Sequence, residues 1–217
     1  MELITQLIDF VLHVDDHLKL IIAQYGEWTL GILFVIIFLE TGVVVTPFLP
    51  GDSLIFAAGT FAGSGALDPW ALFIVLTAAA IIGDTVNYWI GYHIGAKAYT
   101  GEIKWIKKEY MERTHRFFEK HGGKTIFLAR FVPIVRTFAP FVAGASRMSY
   151  GFFFRWNVIG GITWVGIFTA LGYFFGNIPF VQQNFELVII AIIFISVVPM
   201  FVEAWKARRE SQASKKQ

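Results

Sequence analysis

Four stretches of the chain are apolar over lengths that suit a bilayer: residues 28–46, 70–95, 153–176 and 185–205. A helix of about 20 residues crosses the ~30 Å hydrocarbon core, so each stretch predicts a transmembrane span. Upstream, Leu3, Leu7, Val11, Val14, Leu18 and Ile22 recur at helical spacing, with Asp9, Asp15, Asp16 and Lys19 between them. That pattern predicts an amphipathic helix over 1–27 lying at the membrane interface. A helix packed on the membrane domain has the same spacing.

Two further apolar stretches do not read as spans. Residues 47–66, PFLPGDSLIFAAGTFAGSGA, hold two prolines, four glycines and Asp52. Residues 125–145 include FLARFVPIVRTFAPFVAG and hold Pro133, Pro140, Arg130 and Arg136. Proline breaks helices, and freed backbone groups cannot face lipid; they are tolerated at membrane depth only inside protein or beside a water-filled cavity. Both stretches are therefore expected to be re-entrant hairpins. An internal repeat fits this: FLPGDSLIFAAG (48–59) resembles FVPIVRTFAPFVAG (131–144), and IGYHIG (90–95) resembles LGYFFG (171–176). A hairpin followed by a span ending in GYxxG thus occurs twice. The fold expected is an all-α integral membrane protein with four spans and two opposed hairpins, arranged as an inverted repeat like those of secondary transporters.

Composition agrees. The chain is 56% hydrophobic and only 16% charged, with mean hydropathy +0.60, whereas soluble domains carry about 25% charged residues. Zero cysteines excludes disulfides and thiol chemistry. The start MELITQLIDF lacks a basic region and a small-residue cleavage site, so no secretory signal peptide is expected.

Charge placement sets an orientation. Residues 96–124 carry eight Lys/Arg, and the tail 206–217 carries Lys206, Arg208, Arg209, Lys215 and Lys216. Connections 46–69 and 177–184 carry none. Cytoplasmic loops are enriched in Lys/Arg, so the 96–124 loop and the tail are expected inside and the other two connections outside. With four spans the N-terminus falls inside, without help from its own charges. The membrane transporter domain is expected over 28–205.

The chemistry concentrates in five ionisable residues at membrane depth: Glu40, Asp52, Asp84, Arg130 and Arg136. Each costs ~2.5–3.5 kcal/mol at a helix centre unless paired or hydrated. They can serve as buried ion pairs that lock the hairpins together, and such a pair can also break when a substrate arrives. Their signs favour function. Arg130 and Arg136 flank Pro133, and guanidinium forks suit phosphate oxygens. Glu40 and Asp52 bracket Pro50-Gly51, and a buried carboxylate can exchange protons. Arg130 and Arg136 are the candidate phosphate ligands, Glu40 and Asp52 the candidate proton carriers. Asp84 and Asn87, with Gly91, share one helical face, and with Pro50, Gly51, Pro133, Thr137 and Pro140 they are expected to line the interior. His93, His115 and His121 do not make a metal set. No phosphate loop, nucleophile elbow or HExxH motif is present, so neither an enzyme, a cofactor nor a metal is expected. The mixed charges of 96–124 argue against nucleic acid and for a headgroup-facing segment.

FLETG (38–42), FLPGDS (48–53) and ARFVPIVRTFAPFVAG (129–144) resemble signature segments of the DedA family of bacterial inner-membrane proteins, related to eukaryotic autophagy-type lipid scramblases. The resemblance runs from about residue 28 to 180. It implies lipid translocation in the inner membrane, dependence on proton motive force, and functional roles for Glu40, Asp52, Arg130 and Arg136. The expected substrate is undecaprenyl phosphate, with phosphatidylethanolamine or another phospholipid next and a proton/cation antiporter as the reading of another class. Expected partners are the lipid and protons, with a homodimer left open.

Overall fold

The computed structural model of the chain describes residues 14–43, 51–99, 124–192 and 194. Among them the regular structure is helical throughout: α1 (Val14–Tyr25), α2 (Trp28–Gly42), α3 (Gly51–Gly63), α4 (Pro69–Tyr99), α5 (Thr125–Ala129), α6 (Pro133–Ala145), α7 (Tyr150–Phe175) and α8 (Pro179–Gln183), with residues 185–192 helical after it. Two described helices are long and apolar enough to cross a bilayer, Pro69–Ile94 within α4 and Tyr150–Phe175. The start of α4 is specified locally. Pro69 occupies its first position, and the Asp68 carboxylate accepts the Ala71 N–H at 2.6 Å, a side-chain cap with proline just inside.

The expected span at 28–46 takes a different form. α2 has fifteen residues, about 22 Å of helix at 1.5 Å per residue, and residues 44–50 lie outside the described ones. Its buried Leu33 and Ile37 share a cluster with Leu72 and Leu76 of the first half of α4. None of its residues joins the second cluster, around Tyr88, Ile126 and Phe153. Its end meets the middle of α4: a Cβ on Gly42 would sit 3.4 Å from the Gly83 backbone. α2 therefore runs alongside the first half of α4 and stops half-way. α3 starts at Glu40, where the Gly51 N–H donates to Glu40 Oε1 at 3.3 Å, and passes α7 with Gly63 against the Tyr173 carbonyl. α2 and α3 thus meet at Glu40 and Gly51, with residues 44–50 between them outside the described ones. Of the expected hairpin 47–66, Gly51–Gly63 is one unbroken helix, and Pro47 and Pro50 lie outside the described residues.

The stretch 125–145 is broken as expected, but at one proline only. After α5, the N–H groups of Arg130, Phe131 and Val132 turn back to carbonyls three residues earlier, and Pro133 opens α6. Pro140 sits inside α6 without ending it. α1 packs Val14 and Leu18 into the main cluster and leaves Leu20 and Tyr25 exposed; residues 1–13 are outside the described ones.

The repeat reappears as packing. α6 crosses α4 and α3 crosses α7, so the short helix of each repeat packs on the long helix of the other. Glycines make both crossings. A Cβ on Gly91 would strike the Phe141 carbonyl, and one on Gly144 the Tyr88 carbonyl. In the other crossing Gly172 meets the Phe56 carbonyl and Gly59 the Thr169 carbonyl. Each struck carbonyl lies three residues before its partner glycine. Small residues allow such close backbone approach between helices in apolar surroundings.

Candidate functional site

The crossing helices bring the predicted residues into two adjoining ion-pair groups. In the first, Arg136, on the first turn of α6, is shared between α2 and α3. Its Nη2 bonds Glu40 Oε1, near the end of α2, and its Nη1 donates to Asp52 Oδ1, at the start of α3, at 2.7 Å. Asp52 lies in the first turn of α3, where the helix dipole favours a negative charge. Gly51 is small for a reason: a Cβ there would overlap the Glu40 carboxylate.

In the second group, Arg130 sits at the break between α5 and α6. Its Nη2 donates to Asp84 Oδ2 and to Asn157 Oδ1, both at 2.6 Å. Asn157 is fixed in turn by donating Nδ2 to the Ile81 carbonyl at 3.0 Å. The arginine stem lies against Gly160, where a Cβ would come within 3.0 Å of Arg130 Cδ and Nε. Asn87 bridges the units by donating to the carbonyls of Thr137 at 2.8 Å and Thr41 at 3.2 Å.

Trp164 of α7 touches both groups. Its Nε1–H donates to Asp52 Oδ1 at 2.8 Å, and its ring centroid lies 5.2 Å from the Arg136 guanidinium carbon and 5.8 Å from that of Arg130. Both distances are within cation–π range.

Electrostatically the groups differ. Arg130 and Asp84 balance one to one, with side-chain exposures of 4% and 6%. Arg136 faces two carboxylates, leaving one negative charge over, and its side chain is 14% exposed. A cavity of about 10 Å³ lies between them, lined by Glu40, Thr41, Asp84, Arg130, Arg136, Thr137 and Trp164. That is about the least that holds one water, so the site is closed, its guanidiniums occupied by carboxylates. Glu40 Oε2 and Arg130 Nε are buried there without a hydrogen-bond partner among the described residues.

All five ionisable residues expected at membrane depth thus converge, with Gly51, Asn87 and Thr137 beside them. Pro133 and Pro140 shape α6, and Pro50 lies outside the described residues. His93 is exposed at the end of α4, with its Nδ1 at 2.8 Å from the Trp89 carbonyl; His115 and His121 lie outside the described residues. Asn157, Thr41 and Trp164 were not foreseen. Asn157 carried a usable signal, a polar side chain within a predicted span; Trp164 carried none, since tryptophan counts as apolar.

The VTT domain family matches residues 49–174, which takes in every residue of the two groups except Glu40. Protein DedA of Escherichia coli strain K12 is 52% identical over the whole of both chains. The chain belongs to the DedA family. An uncharacterized membrane protein of Mycobacterium leprae is 44% identical over 84% of this chain and 82% of its own. Inner membrane protein YqjA of Escherichia coli strain K12 is 36% identical over 82% of this chain and 81% of its own. No solved structure matches. As a DedA-family chain with two span-length apolar helices, it is a membrane protein.

Proposed function

We propose that this DedA-family chain is a proton-coupled translocase of a lipid bearing a phosphate headgroup, working in a bacterial inner membrane. The observation that carries the reading is the shared guanidinium of Arg136, held by Glu40 and Asp52 at a closed cavity. The two carboxylates stand where phosphate oxygens would bind, so a phosphate must displace at least one of them. A displaced carboxylate in apolar surroundings is costly unless it is neutralised, and a proton does this. Phosphate entry and proton uptake then favour each other, as reciprocal linkage requires. A phosphate monoester offers the fork more charge than a diester. Undecaprenyl phosphate is therefore the first candidate and phosphatidylethanolamine the second.

The membrane arrangement belongs to the same reading. α2–α3 and α5–α6 are taken as re-entrant hairpins entering from opposite faces and meeting at mid-depth, the inverted-repeat design of secondary transporters. In this reading α4 crosses inward and α7 outward; the span expected over 185–205, which would cross inward, lies mostly outside the described residues. The basic 96–124 loop and tail then lie inside. With α2 read as a limb of the first hairpin, the N-terminal helix falls outside, with its two aspartates and single lysine; with α2 as a full span it falls inside.

The test is purified protein in liposomes carrying undecaprenyl phosphate or phosphatidylethanolamine, with and without a pH gradient. Glu40→Gln and Asp52→Asn are expected to bind lipid phosphate yet lose gradient-driven translocation, and Arg136→Gln to lose binding. Wild-type rates under a gradient in both carboxylate variants would make the carboxylates structural. Proton flux without lipid movement would turn the reading to an antiporter.

A further inference from the structure

Asp52 Oδ1 accepts two donors at once, Nη1 of Arg136 at 2.7 Å and Nε1 of Trp164 at 2.8 Å. The indole carrying that second donor is 1% exposed, and a buried indole N–H needs a partner. Here the partner is the carboxylate that Arg136 shares. The same ring lies 5.8 Å from the guanidinium carbon of Arg130, whose own group is otherwise built from Asp84 and Asn157. Trp164 is on α7, Asp52 on α3, Arg136 on α6, and Arg130 at the α5–α6 break. One side chain therefore meets both hairpins and both ion-pair groups.

We propose that Trp164 is the positioning residue that couples the two groups, so that a change at Arg136 is passed to Arg130. This rests on the reading of Arg136 as the phosphate-binding group. A phosphate that takes the place of Asp52 moves the oxygen that also anchors the indole. The ring is then free to leave its place against Arg130, whose buried charge loses part of its stabilisation. Arg130 sits where α5 breaks from α6, so its release loosens the second hairpin at the moment the first has taken substrate. The indole does this through two separable parts, the N–H that senses Asp52 and the ring face that holds the guanidiniums. Phenylalanine at 164 keeps a ring and removes the N–H.

Two measurements on the full chain test this. The first uses thermal unfolding and needs no substrate. Asp52→Ala, which leaves the indole N–H no acceptor at that position, and Arg130→Lys are combined in a double-mutant cycle, once with Trp164 present and once with Trp164→Phe. With Trp164 the shifts should be non-additive by about 2–4 °C, the size of a coupling between linked residues in a chain of this length. With Trp164→Phe they should add. Non-additivity that survives in Trp164→Phe, or additivity in both backgrounds, overturns the proposal. The second uses liposomes with undecaprenyl phosphate. In Trp164→Phe the ratio of translocation rates with and without a pH gradient should fall to unity; an unchanged ratio overturns the proposal. If Trp164→Phe does not fold, Trp164→Met, which fills the space with an apolar side chain and also lacks a donor, serves in both assays with the same expected outcomes. Should the wild-type chain move no lipid, the transport reading fails while the melting cycle still decides the role of Trp164.

Discussion

The two ion-pair groups should fail differently when a carboxylate is removed, and Asp84→Asn is the sharper case. Arg130 is 4% exposed and has one carboxylate partner at 2.6 Å. Arginine does not give up its proton in proteins, so the variant leaves a buried positive charge against an amide. Breaking one side of a buried pair costs about 3–5 kcal/mol. For a chain of this length each kcal/mol lowers the melting temperature by roughly 2–4 °C, giving roughly 6–20 °C in all. Asp52→Asn should cost much less. Arg136 keeps Glu40, the amide oxygen can still accept from Trp164, and the surplus negative charge of that group disappears. The loss is a charged hydrogen bond replaced by a neutral one, about 1 kcal/mol. The double variant Asp84→Asn with Arg130→Gln should recover part of the loss, because no charge is stranded. The assay is thermal unfolding of purified protein in one detergent, followed by tryptophan fluorescence. An Asp84→Asn protein that melts no lower than Asp52→Asn would refute the assignment of Asp84 as the counter-ion on which the fold depends.

Arg136→Lys should keep the protein in the membrane but lose most gradient-driven lipid movement, since an ammonium cannot serve Glu40 and Asp52 with the two arms of a fork; full transport would mean that local charge alone suffices. Single cysteines at Lys19 and Gly65 should be labelled from outside and one at Ser146 from inside; labelling of Gly65 and Ser146 from one side would end the opposed-hairpin topology. Gly91→Leu and Gly172→Leu should lower the melting temperature to similar extents, because each side chain meets a backbone carbonyl across a helix crossing, while Gly151→Leu, with nothing within 4 Å of an added Cβ, should be silent. Unequal effects at Gly91 and Gly172 would deny the equivalence of the crossings.

Much of the site was legible because charge in a predicted hydrocarbon environment needs a partner. That single rule picked out Glu40, Asp52, Asp84, Arg130 and Arg136, and it would have picked Asn157 had it been applied to uncharged polar residues. What it cannot do is sort them into pairs. Asp84 pairs with Arg130, 46 residues away, and Glu40 with Arg136, 96 residues away, and only the crossing of the two units sets those partners. Where α2 ends was also hidden. Residues 28–46 are apolar throughout, and composition does not tell where along such a run the helix stops. The end of α2 is marked by local contacts instead: Gly42 faces Gly83 and Glu40 reaches Gly51.

The repeat is carried by packing and abandoned by chemistry, and this explains why its signal in the sequence was weak. Matching Gly59 with Gly144, whose crossings are equivalent, sets Gly51 opposite Arg136 and Asp52 opposite Thr137. Matching Gly91 with Gly172 sets Asp84 opposite Val165 and Asn87 opposite Phe168. No ionisable residue of the site has an ionisable counterpart. Yet the register is informative, for Gly51 and Arg136 are equivalent positions that both donate to Oε1 of Glu40, one from the backbone at 3.3 Å and one from a guanidinium. Glu40 thus sits where the two hairpins come together, bound by the same position of each. Two identical halves would place like charges against each other at this meeting point, and like charges in a low-dielectric interior repel strongly. A pair of hairpins can meet there only if one brings carboxylates and the other guanidiniums. On this argument the divergence of the halves is what lets the two crossed units hold charge in their shared interior, and restoring symmetry by Gly51→Arg should be more damaging than neutralising any one of the carboxylates.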